Sequence, residues 1–159
     1  MHASLPSIYL LIAWMIGSTG TLHAATAEIR LRSASGQYED VKERVVFAVE
    51  NRGIVLNYTA RVGSMLERTG RDLGRSKQIY GQAEVIEFCS AALSRDAMEA
   101  DPHSIAYCPY SIAVYTLPQE PGRVFVAYRR LGAANGGASA RALAAVEKLL
   151  EDIVSEALR

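Results

Sequence analysis

Between Glu84 and Arg130 the chain switches from one periodicity to another and back, and that switching limits what it can build. Glu84-Val85-Ile86-Glu87-Phe88-Cys89 reads as a strand, rich in residue types that fit extended backbone. Ser90 is placed to cap a helix over Ala91 to Ala100, which Pro102 ends, because the residue before a proline is pushed out of the helical region. Ile105 to Leu117 holds one further strand, with Pro109 as an interruption, and Gln119-Glu120-Pro121-Gly122 is a turn by composition. Arg123 to Arg130 sets Val124, Val126 and Tyr128 against Phe125, Ala127 and Arg129, the two-residue period of a strand. The strands on either side of that turn make the clearest hairpin in the chain.

The flanks add the remaining elements. Glu28 to Ser33 alternates Ile29 and Leu31 with Arg30 and Arg32, the pattern of a half-buried strand. Tyr38 to Asn51 carries Val41, Val45 and Val49 as a helical stripe with Val46 beside it, while Glu39, Asp40, Lys42, Glu43 and Arg44 take the outer face. Gly53 stands where a helix-ending glycine belongs, and Ile54 to Ala60 favours a second strand. Ser64 to Leu73 is a weaker helix. Ser64 and Glu67 resemble a capping box, and Gly70 and Gly74 would each cost about 1 kcal/mol inside it. After the flexible Asn135-Gly136-Gly137, Ser139 is offered as the cap of a last helix. Leu143, Val146, Leu150, Ile153 and Ala157 form one face of it, flanked by Leu149 and Val154. Such a helix docks on a sheet or on a second subunit. The order β-α-β-(α)-β-α-β-β-α predicts an α+β domain of two layers, a mostly antiparallel sheet with helices on one face.

The chain has 159 residues, enough for one domain, and half of them are hydrophobic. Its 17 basic and 17 acidic residues balance, so nothing favours nucleic acid as a partner. Ile8 to Ile16 is an apolar run of about nine residues, the length of a signal-peptide core rather than a membrane span. Ala25-Thr26-Ala27 fits small-x-small cleavage better than Leu22-His23-Ala24, and the run and this site outweigh the lack of a Lys or Arg before the run. We therefore expect residues 1–27 to be an export signal, with an uncleaved anchor helix as the alternative. Residues 28–159 form the domain, placed in the periplasm or secreted.

From Cys89 to Tyr128 the order of elements resembles the bacterial and archaeal family called domain of unknown function 302. Val85 to Ser90, then Ala97-Met98-Glu99-Ala100-Asp101-Pro102, Pro109, Ile112 to Tyr115 and the strand Val124 to Tyr128 carry the likeness. It spans roughly residues 28–131, together with the terminal helix. It implies a compact α+β domain that dimerises, and it supplies no catalytic residues. Two features depart from the pattern: Ser90-Ala91 replaces the usual Asn-Pro, and Cys108 precedes the proline where an aliphatic residue is common.

Few residues could carry chemistry. Cys89 closes one strand and Cys108 opens another. If those strands are antiparallel neighbours the two ends meet and a disulfide can form. If a parallel crossover separates them it cannot. Two buried thiols, or a thiol or copper site with His103 and Met98, are the alternatives. Arg68, Arg71 and Arg75 share a helical face with Lys77 near, which would suit an anion, although Glu67 and Asp72 among them read as ordinary surface. Tyr107, Tyr110, Tyr115 and Tyr128 gather around the hairpin strands as candidates for a ligand pocket or a dimer face. No nucleophile elbow, phosphate loop or zinc-protease motif is present. His103 is the sole histidine left after the signal, so an enzyme is not the expectation. The expected role is a binding module for a small ligand or a protein, with a homodimer anticipated and no cofactor. The runner-up is a thiol or copper protein using Cys89 and Cys108.

Overall fold

The computed structural model describes residues 29–131 and 137–159. The elements are β1 (Ile29–Ser35), α1 (Tyr38–Glu50), β2 (Leu56–Ala60), α2 (Val62–Asp72), β3 (Ala83–Phe88), α3 (Ala91–Ala100), a 3-10 helix (Pro102–Tyr107), β4 (Tyr110–Thr116), β5 (Arg123–Arg129) and α4 (Gly137–Ala157). The strands join in one sheet, in the order β1-β5-β4-β3-β2, and every neighbouring pair is antiparallel. The expected class and element order hold.

One face of the sheet carries the core. Ile86, Phe88, Ile112, Val114, Val124 and Val126 point there and are fully buried. Val41, Val45 and Val49 of α1 meet them, as do Leu143, Val146, Leu150, Ile153 and Val154 of α4. Both helices therefore bury the stripe that their spacing defines, and α4 docks within its own domain. Burying side chains of this size stabilises by roughly 1.5–3 kcal/mol each. Charged pairs then fasten α4 at its edges: Arg32 to Glu151 at 2.8 Å, Arg52 to Glu156 at 2.8 Å and Arg130 to Glu147 at 3.0 Å.

The structure departs from the sequence reading in four places. In β1 the alternation holds but its sense is reversed. Arg30 pairs in register with Tyr128 and Arg32 with Val126, so the arginines share the helix-facing side, and Ile29 and Leu31 project from the opposite one. The cause is α4, whose Glu151 accepts from both Arg32 and Tyr128 and gives the arginine side a partner. Second, α2 starts at Val62, so Ser64 lies within its first turn, and its hydroxyl donates to the Arg61 carbonyl instead of capping. Third, α4 starts ahead of Ser139. Fourth, Ile105 lies not in a strand but in the 3-10 helix, which Asp101 initiates by accepting from the His103 N–H at 2.9 Å. The apolar run Ile8 to Ile16, the Ala25-Thr26-Ala27 site, Asn135 and Gly136 lie outside the described residues.

Candidate functional site

Phe88 at the end of β3 lies opposite Tyr110 at the start of β4, in an antiparallel pair. That is the arrangement in which the flanking cysteines can meet, and they do. Cys89 and Cys108 form a disulfide with their Cα atoms 6.3 Å apart, within the range such a bond spans. The Cys108–Pro109 peptide is cis. Beside the bridge, the buried Ser94 of α3 shares a 3.1 Å hydrogen bond with the Tyr110 hydroxyl, and its own hydroxyl donates to Cys108 Sγ at 3.9 Å. With both sulfurs bonded to each other, neither is a thiolate that could hold a metal. His103 is exposed in the turn after α3, where its N–H serves Asp101. Among the described residues no group of three or more His, Cys, Asp or Glu side chains is gathered for an ion.

The four tyrosines do not share one place. Tyr110 and Tyr128 lie on the helix-facing side and are buried. The Tyr128 hydroxyl donates to Glu151 at 2.7 Å, and Tyr110 stands edge-on to Phe88. Tyr107 is half-buried in the 3-10 helix. Only Tyr115 projects from the opposite face, where its ring stacks on Phe125 with centroids 5.2 Å apart and meets Tyr80 edge-on at 5.4 Å. Burial raises the Tyr115 hydroxyl pKa, with Tyr80 and Glu120 adding to the effect.

That opposite face has the composition of a contact surface. Directly paired residues of antiparallel strands share a side of the sheet, so the registers can be followed across it. Leu31, Ala127, Ala113, Val85 and Ala60 make one row through all five strands. Ser33, Phe125, Tyr115 and Ala83 make the next. Neither row contains a charge. Leu31 is 53% exposed and Ile29 58%. Charges return only beyond these rows, at Arg123, Arg129 and Glu87. An antiparallel sheet whose second face meets water normally alternates apolar with polar, and this one does not. The reversed sense of β1 is what places Ile29 and Leu31 here. Periodicity alone cannot reveal that, because the same alternation serves either face.

Two further places were candidates. A groove of about 800 Å³ runs between β1 and α4, lined by Arg30, Arg32, Tyr128 and Arg130 and by Glu147 and Glu151. Most of its charges neutralise one another across the groove, which makes it a seam between sheet and helix. Near the start of α1, the hydroxyl of buried Tyr38 has no hydrogen-bond partner among the described residues. Burial raises its pKa, with the carboxylates of Glu84 and Glu39 adding to the effect. Lys42 lies over its ring and pairs with Glu39 and with Glu84 at 3.5 Å. Its own pKa is raised, first by the hydrogen bond to Glu39.

A single five-stranded antiparallel sheet, with helices packed on one face, defines a two-layer α+β domain. The family described as "Domain of unknown function DUF302" matches residues 29–157, and the chain belongs to it. A comparison with curated proteins finds no match. A solved structure, "Crystal structure of uncharacterized conserved protein DUF302 from Bacillus stearothermophilus", is similar with a TM-score of 0.69 and 17% sequence identity, covering 84% of this chain and 100% of that one. At that identity the likeness concerns the fold.

Proposed function

We propose that the domain is a non-enzymatic binding module that works as a homodimer, with the open sheet face as the contact between copies. The observation behind this is the pair of charge-free rows, which end at the exposed Leu31 on β1 with the exposed Ile29 beside it, opposite Arg129. Removing those side chains from water is favourable by roughly 25 cal/mol per Å² of apolar surface, and uncovered apolar patches of this kind mark contact sites. A second copy suits the face because a twofold contact must be complementary to itself. An uncharged centre with both a cation, Arg129, and a carboxylate, Glu87, outside it is compatible with that condition. Phe125 is already buried within the chain, so on that row Tyr115, stacked on it and half-buried, is the aromatic side chain within reach of a partner. We also propose that the domain acts outside the cytoplasm, a reading that the disulfide supports.

Sedimentation equilibrium of the purified domain tests the assembly. The expected result is a dimer that Leu31→Glu converts to a monomer with unchanged circular dichroism, since Leu31 sits on an edge strand away from the core. A monomer at every concentration, or a dimer that this variant leaves intact, would overturn the proposal.

A further inference from the structure

The basic residues around the end of α2 have no place in the dimer reading, and the structure arranges them around a cavity. Helix α2 ends in a Schellman motif. Gly74 adopts φ +66°, its N–H donates to the Arg71 carbonyl at 3.1 Å, and the Arg75 N–H donates to the Gly70 carbonyl at 2.7 Å. That turn sends residues 75–80 back beside the helix. The return is close: a Cβ on Gly70 would stand 3.2 Å from the Arg75 carbonyl oxygen. Between helix and returning chain lies a cavity of about 260 Å³, lined by Arg71, Arg75 and Lys77 together with Glu67 as its one carboxylate. Glu67 is occupied, 2.8 Å from Arg71. Arg75 and Lys77 have no carboxylate partner among the described residues. The backbone N–H groups of residues 76–80 likewise find no acceptor there. Cations without a carboxylate partner, lining one small cavity, are what an oxyanion needs.

We propose that this cavity binds a phosphate group, with Arg75 and Lys77 as its charge partners and the amides of residues 76–80 as further donors. A phosphate monoester carries about −1.5 to −2 at neutral pH, which matches the charge left over once Glu67 has neutralised Arg71, whereas a carboxylate would match half of it. The cavity exceeds the size of the anion itself and leaves room for a substituent. Inorganic phosphate and the headgroup of phosphatidic acid present the same chemistry, so the experiment carries both.

The full chain is titrated with inorganic phosphate by calorimetry at low ionic strength, and is sedimented with vesicles of phosphatidylcholine with and without phosphatidic acid. Each assay is repeated on the double variant Arg75→Gln/Lys77→Gln. Both side chains are exposed, so the fold is kept. The expected result is saturable binding in at least one arm, at least about tenfold weaker in the variant and weaker again with added salt. Binding in the calorimeter identifies a soluble anion. Binding to the acidic vesicles alone, lost in the variant, identifies a lipid headgroup. No binding in either arm, or equal binding by the variant, overturns the proposal.

Discussion

Tyr128 and Glu151 hold one another in their protonation states. The phenol, buried in the sheet, donates to the carboxylate at 2.7 Å, and burial followed by that bond raises its pKa. The bond is also the largest influence on Glu151, whose pKa falls below the ordinary 4.5, with Ser155, Arg32 and Arg30 adding to it. A carboxylate with a lowered folded pKa contributes stability that is present above the unfolded value and is lost as pH falls through the folded one. The protein should therefore lose stability on acidification below about pH 4.5, and Glu151→Gln should remove part of that dependence when melting temperature is followed against pH. Tyr128→Phe deletes only the hydroxyl. Its expected cost is about 1.5 kcal/mol in a denaturant titration at neutral pH, with the acid dependence weakened as well. A variant as acid-sensitive as the parent would show that the Tyr128–Glu151 bond does not set the shift.

The disulfide acts at the level of elements, tying the end of β3 to the approach to β4 with α3 and the 3-10 helix inside the loop. For a sequence separation of 19, chain-entropy reasoning gives about 3 kcal/mol. Cys89→Ser/Cys108→Ser should lower stability by about that much while leaving the circular dichroism unchanged, and reductant should have the same effect on the parent. The sequence shows the helices and the hairpin well because their signals are local. Val41, Val45 and Val49 make a stripe that only a helix can bury, and the turn before Arg123 joins two strands with no intervening helix. It left open whether Cys89 and Cys108 meet, because that depends on the direction in which β4 returns beside β3. It misplaced the open face for a related reason. Ile29 and Leu31 were legible as one side of a strand, but Glu151, more than a hundred positions further on, decides which side faces the helices. Asp101-Pro102 is a local start signal for the 3-10 helix, and it outweighs the strand propensity of Ile105.

Protein recovered from an oxidising compartment should begin just after Ala27 by intact mass, and its cysteines should resist alkylation until reduced. Two alkylatable thiols on freshly exported protein would turn attention to the thiol or copper reading of Cys89 and Cys108. Among the described residues no helix is long and apolar enough to cross a membrane.

The position of β1 has a consequence in time. It is the first of the described strands to be synthesised, yet among them it pairs only with β5, Ile29 lying opposite Arg129. The strands β3, β4 and β5 can zip together from neighbouring segments, whereas β1 must wait until nearly the whole domain has emerged. During that wait Ile29 and Leu31 have no strand beside them. The edge of β5 that β1 covers stays unpaired until β1 docks.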